Sequence, residues 1–179
     1  MKLFLKIVFL GSALALAFSA RAQDEAPSPV QRHLAHLKLG DHLDEIERIY
    51  SPSHEWPSQR ELKQGVNRIR IERSGLKYPE PHVDVMWLGM KRDRLVEIQL
   101  IYDAAYTREE SVEQLAGELS LIYGEPRRSQ GKFWWTDGET VLRAFYAEVP
   151  SPQKDDAGAV ELRTSLQVMD AGLFEKAAD

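Results

Sequence analysis

From His36 to Val168 the chain switches repeatedly between helical and two-residue hydrophobic periods. His36-Leu37-Lys38-Leu39 alternates and stops at Gly40, which predicts a short strand. Asp41 is suited to N-cap the next segment, in which Leu43, Ile46, Ile49 and Tyr50 share one helical face up to Ser51-Pro52. Ser53 to about Gln64, which holds Trp56-Pro57, has no period and reads as irregular. Val66 to Glu72 then sets Ile69 and Ile71 against Arg68, Arg70 and Glu72, the alternation of a half-buried strand. Gly75, Pro79 and Pro81 break it.

Val83, Val85 and Trp87, followed by Val96, Ile98, Leu100 and Tyr102, predict a hairpin around the polar turn Lys91-Arg92-Asp93. Thr107 with Glu110 three residues later has capping-box spacing, and Val112, Leu115, Leu119, Ile122 and Tyr123 form the apolar stripe of a second helix. Gly124 and Pro126 close that helix. Asp137-Gly138, between Phe133 to Thr136 and Thr140 to Ala147, has the composition of a type I′ hairpin turn. Pro150, Pro152 and Asp155-Asp156 mark a loop before a last strand bearing Val160, Leu162, Leu166 and Val168.

Ile49-Tyr50-Ser51-Pro52 parallels Ile122-Tyr123-Gly124-Glu125-Pro126, each followed by strands rich in Trp and Tyr. The order suggests a tandem α-β-β-β duplication. Its expected form is a single α+β domain over 36–170, an antiparallel sheet of about six or seven strands with two helices packed on one face.

The ends change the picture. Lys2 and Lys6 precede an apolar run from Ile7 to Phe18 that closes as Ala20-Arg21-Ala22, the pattern of a cleavable secretory signal over 1–22. The run is shorter than the roughly 18 apolar residues of a spanning helix, so no membrane anchor is expected after cleavage. Residues 23–35 read as a flexible leader, and 171–179 as a peripheral tail. The expected location is periplasmic or secreted.

The sequence has no cysteine, which removes disulfides and thioether lipids as sources of stability or anchorage. A chain of about 150 residues can manage on its core alone, burying roughly 68–70 % of its unfolded surface. The formal net charge of −5 becomes −8 once the three positive charges of Lys2, Lys6 and Arg21 are removed. Basic residues such as Arg68, Arg70, Arg127 and Arg128 are interleaved with Glu61, Glu72 and Glu125, so nucleic acid is not an expected partner.

Leu39-Gly40-Asp41 opening a helix, and Leu119-Ser120-Leu121-Ile122-Tyr123-Gly124-Glu125-Pro126 leading into a Trp-bearing hairpin, resemble small exported proteins of two groups. These are the β-lactamase-inhibitor-like proteins and the outer-membrane-assembly small lipoproteins (SmpA/OmlA). The resemblance implies a protein that binds other proteins in the cell envelope. The chain departs from both groups, lacking the lipid-bearing cysteine of one and the disulfides of the other.

Catalytic chemistry finds little footing. No serine sits in a Gly-x-Ser-x-Gly turn, no glycine loop has phosphate-binding spacing, and Glu109-Glu110 and Asp155-Asp156 read as a helix first turn and a solvated loop. His33, His36 and His42, with Asp41 and Asp44, are near one another but match no standard metal spacing, so neither a metal nor another cofactor is expected. The aromatics remain. Trp87, Trp134 and Trp135 fall on predicted strands, where packing accounts for most such residues, but neighbours on a strand point opposite ways, so one of Trp134 and Trp135 faces away from the helices. Trp56 sits in a loop with no period to demand it.

The expectation is therefore a non-enzymatic domain that binds an envelope or secreted protein or peptide through Trp56, Trp87, Trp134 and Trp135. Two alternatives are a periplasmic hydrolase or metal-dependent enzyme, marked by His54 or His82 converging with two carboxylates, and a carrier of small apolar ligands, marked by a cavity between sheet and helices.

Overall fold

The computed structural model describes residues 28–50, 59–63, 65–75, 79–151 and 159–172. The expected signal sequence and Trp56 lie outside them. Along the chain come β1 (His33–Leu34), β2 (Leu37–Lys38), α1 (Leu43–Ile49), β3 (Gln59–Lys63), β4 (Val66–Glu72), β5 (Val83–Lys91) and β6 (Arg94–Tyr102). Then follow α2 (Ala104–Glu109), α3 (Val112–Tyr123), β7 (Arg127–Ser129), β8 (Lys132–Thr136), β9 (Thr140–Pro150) and β10 (Val160–Asp170). β1 and β2 form a two-stranded ribbon, and the other eight strands form one sheet in the order β3-β4-β5-β6-β10-β9-β8-β7. Every neighbouring pair is antiparallel, so the protein is α+β.

Each half is a helix followed by a four-stranded meander, and the meanders join along the seam between β6 and β10. The hydrophobic pattern predicts three strands per half. The fourth in each is an edge strand without apolar alternation: β7 is Arg127-Arg128-Ser129, fully exposed, and β3 has Leu62 as its one apolar residue. β7, exposed along its whole length, needs no hydrophobic period.

One face of the sheet carries the main core. Ile69, Ile71, Met86, Leu88, Ile98, Leu100, Phe133, Trp135, Leu142, Leu166 and Val168 meet Ile46 and Tyr50 from α1, with its C-cap, and Val112, Leu115 and Ala116 from α3. The α2 helix buries nothing and acts as a connector. The last residues of the expected leader belong to the fold: the Val30 side chain enters the core and its N–H donates to Asp137 Oδ2 at 3.0 Å. Burial opposes ionisation of Asp137, but amide donors from Thr140, Glu139 and Val30 outweigh it and hold the carboxyl below its ordinary range. At the other end Ala171, in the expected tail, is buried beside Val141 and Met169.

Local chemistry corrects several sequence readings. His42, not Asp41, is the N-cap of α1; Glu45 accepts the His42 N–H at 2.7 Å, while Asp41 accepts from Lys38 N. The expected single helix from Thr107 is two, capped by Asp103 accepting from Tyr106 N and by Ser111 accepting from Gln114 N. Thr107 Oγ1 instead bridges Asp103 O and Thr164 N. Gly124 closes α3 as expected, at φ 77°. In the β8–β9 loop Gly138 alone is left-handed, and Asp137 fixes the turn by accepting from Glu139 N and Thr140 N, so it is not a type I′ turn. The left-handed pairs are Ala35-His36, Arg92-Asp93 and Gln130-Gly131, in the two-residue loops joining β1 to β2, β5 to β6 and β7 to β8. In β5 a register shift after Val83 leaves Val85 and Trp87 on the helix-free face and turns Met86 and Leu88 into the core.

Candidate functional site

The helices cover one face of the sheet, and the other face is polar yet largely buried. Across its middle runs a row of cross-strand partners: Arg70, Trp87, Gln99, Gln167, Arg143, Trp134 and Arg127, one from each strand from β4 to β7. Gln99 and Gln167 are 6 % and 3 % exposed, and Glu97 and Ser165 beside them are also buried. Central strands packed on both sides account for this, since long side chains from flanking strands fold over the middle.

These groups form one hydrogen-bonded network. Arg143 donates through Nε to Gln167 Oε1 at 2.9 Å, and Gln167 Nε2 donates to Glu97 Oε1. Arg68 donates to the same Glu97 oxygen at 3.0 Å and to Gln99 Oε1 at 2.8 Å. Gln99 Nε2 passes a bond to Ser165 Oγ at 3.1 Å, and that hydroxyl donates to Leu100 O at 2.9 Å. Glu97 is thus the carboxylate placed between two guanidiniums. Burial pushes Arg143 below its ordinary range, nearby Glu97 acts against that and Arg68 adds to it.

Aromatic rings line the network. The Arg68 guanidinium lies 4.8 Å from the Trp87 ring centre, and Arg143 and Lys132 lie 5.4 and 5.8 Å from that of Phe145. Trp87, Phe145 and Val149 pack on a small apolar cluster of Val85, Ile101 and Ala147. Beside it a cavity of about 280 Å³ is lined by Arg70, Val85, Trp87, Ile101, Glu148, Val149 and Pro150. A second, of about 630 Å³, shares Arg70 and Val85 and reaches Glu72, Arg73, Ser74, Pro79 and Asp84.

The expected site residues separate by face. Trp87 and Trp134 lie on the helix-free face, about four strand spacings or ~19 Å apart at ~4.8 Å each. Trp135 is 4 % exposed in the main core, its indole Nε1 donating to Gly124 O at 2.8 Å, so it is a packing residue and not part of this face. Trp56 lies outside the described residues. Arg68, Glu97, Gln99, Arg143 and Gln167 are absent from the expected site. For Glu97 and Gln99 the available signal is their place inside the apolar run Leu95 to Tyr102, which a strand exposed on one side explains equally well.

Titratable groups also gather where β5 begins and α1 ends. Tyr50 OH bonds Glu80 Oε1 at 2.7 Å and also Ala35 O, and His36 Nε2 is 3.5 Å from Glu80. Tyr102 stacks on Tyr106 at 4.2 Å, and His82 Nδ1 is 3.7 Å from Asp103 Oδ2. His82 therefore meets one carboxylate, which already caps α2, and His54 lies outside the described residues. Among the described residues no three His, Asp or Glu side chains group as metal ligands. No described helix is long and apolar enough to cross a membrane.

Compared with protein families, curated proteins and solved structures, the chain matches none of them.

Proposed function

We propose that this is an exported, non-enzymatic domain of the cell envelope that holds a protein or peptide partner on the helix-free face of its sheet. The observation that carries the reading is the buried network from Arg68 to Arg143, flanked by Trp87 and Phe145, on a face that no described helix covers. A face needed only for solubility would carry separately solvated charges. Here four strands, β4, β6, β10 and β9, hold polar groups in fixed geometry beside an apolar cluster and a cavity, which supports the reading of a rigid binding surface. Export rests on the charged, apolar and small-residue order of 1–22, and the likeness of the helix ends to envelope binding proteins agrees with it.

The test is affinity capture from envelope extract of the source organism with the parent protein, Trp87→Ala and Trp56→Ala. One saturable partner, lost with Trp87→Ala and cross-linked to β5 or β9, supports the reading. Equal capture by parent and Trp87→Ala removes this face from the assignment.

A further inference from the structure

We infer that the cavity bounded by Trp87, Ile101 and Val149 is a subsite for an uncharged apolar side chain of a peptide partner, with a backbone carbonyl of that partner accepting from the Trp87 indole N–H. The inference rests on the binding role proposed above and adds the chemistry of what is bound.

The charges around the cavity are already satisfied within the chain. Arg70 pairs with Glu72, Arg68 with Glu97 at 3.0 Å and Arg163 with Glu161 at 2.6 Å. Arg143 donates to Gln167 Oε1, and Arg73 to the carbonyls of Glu80 and Val83. An anion entering the cavity therefore finds Arg70 occupied and Glu148 among the wall residues. A cation fares no better, because the Arg68 guanidinium, 4.8 Å from the Trp87 ring centre, already uses the ring's electron-rich face, and Arg70 adds a second positive charge. Asp84 and Glu148 are exposed, so their charge is solvated and screened. Either ion would lose hydration that no wall group replaces, which leaves an uncharged occupant.

The walls suit an apolar one. Val85, Trp87, Ile101, Val149 and Pro150 line a volume of about 280 Å³. Trp87 and Val149 pack on Val85, Ile101 and Ala147, so this apolar surface is held from behind and is in place before anything binds. The second cavity adjoins it through Arg70 and Val85 and leaves room for the chain beyond the seated residue.

The Trp87 N–H adds one polar requirement. Trp135 Nε1 donates to Gly124 O at 2.8 Å, whereas among the described residues the Nε1 of half-buried Trp87 has no hydrogen-bond partner and is not sealed from solvent. A donor at an apolar wall matches a ligand that presents a carbonyl oxygen beside an apolar group, as each residue of a peptide does.

The probes are three forms of one fragment at pH ~6: N-acetyl-phenylalaninamide, which is neutral, N-acetyl-phenylalanine, an anion, and phenylalaninamide, a cation. A neutral fragment of this size is expected to bind with a Kd on the order of 1 mM, so each is titrated to about 20 mM into the isotope-labelled protein. The Trp87 indole N–H and the amides of Ile101 and Val149 should shift saturably with the neutral form, and both charged forms should bind roughly fivefold more weakly. Trp87→Phe keeps a ring and removes the donor, so, read at Ile101 and Val149, it should weaken the neutral form by roughly two- to tenfold. Val149→Trp, which fills the cavity, should abolish binding with the remaining resonances unchanged.

A charged form that binds as tightly as the neutral one overturns the uncharged assignment. Unchanged affinity in Trp87→Phe overturns the carbonyl bond, and unchanged affinity in Val149→Trp, or saturable shifts only at other residues, overturns the subsite. No shift with any form, while extract capture still depends on Trp87, overturns this inference alone. No shift and no Trp87-dependent capture overturn both readings.

Discussion

Gln99 and Gln167 face each other across the seam between the two halves and use their amides alike: each accepts from an arginine through Oε1 and passes a bond on through Nε2. The two chains of bonds meet at Glu97, which accepts from Arg68 and from Gln167. Hydrogen bonding through side-chain amides lets two buried guanidiniums share one carboxylate.

Removing that carboxylate leaves the guanidiniums of Arg68 and Arg143 in a site of low exposure. Glu97→Ala should therefore destabilise by about 3–5 kcal/mol, the usual cost of breaking a buried ion pair from one side. Glu97→Gln keeps an acceptor and should cost less, roughly 1.5–3 kcal/mol. Urea unfolding of the two variants against the parent measures both, and a Glu97→Ala cost below that of Glu97→Gln would mean that the acceptor kept by Gln does not support the network.

Trp134 and Trp135 are adjacent but perform different tasks. Trp135→Ala empties a core position and breaks the bond to the α3 C-cap, so a loss of about 3–5 kcal/mol is expected. Trp135→Phe, which leaves Gly124 O without that donor, should lose about 1–3 kcal/mol. Trp134→Ala, at a half-buried position on the other face, should cost less than either, again by urea midpoints.

The core helices, the β4 to β6 strands and the Trp134/Trp135 split are legible in the sequence because a period of 2 or 3.6 reports which side of an element is buried. The edge strands are not, because β7 has nothing to bury. The network is invisible for another reason: Glu97, Gln99 and Gln167 occupy the polar positions of alternating strands, which read as solvent-facing. Only the pairing of β6 with β10, whose register partners run from Ser165 with Ile101 to Met169 with Glu97, places them together, and no local pattern encodes that pairing. The same alternation leaves Leu95 outside the core; the register shift at Gly89 and Met90 turns Leu95 into it, and Val96 is buried as well.

Gly89 is part of the same construction. A Cβ on Gly89 would sit 2.8 Å from Glu97 Cβ and 2.9 Å from Val66 Cγ1, so Glu97 lies over the space that glycine leaves. Gly89→Ala should destabilise by about 1–3 kcal/mol through overpacking and displace Glu97. Gly117, inside α3 with nothing within 4 Å of an added Cβ, is the control: Gly117→Ala should stabilise by about 0.5–1 kcal/mol. Thermal unfolding of both variants reads the opposite signs.

Alkaline pH should weaken the fold through Tyr50 and Tyr102. Burial, then the hydrogen bond to Glu80 and its charge, pushes the Tyr50 hydroxyl far above the ordinary phenol range, and burial with Tyr106 and Glu80 nearby does the same for Tyr102. Both stay protonated in the folded chain while the unfolded chain ionises near pH ~10, so their contribution is complete below about pH 10 and is lost as pH rises above it. Each group adds a slope of up to about 1.4 kcal/mol per pH unit there. Urea unfolding of the parent between pH values of about 9 and 11.5 should steepen past pH ~10. The Tyr50→Phe/Tyr102→Phe double variant should be less stable at neutral pH, because Glu80 and Ala35 O lose their phenol partner, yet show the flatter alkaline profile. Equal slopes in parent and double variant would assign the alkaline loss to other groups.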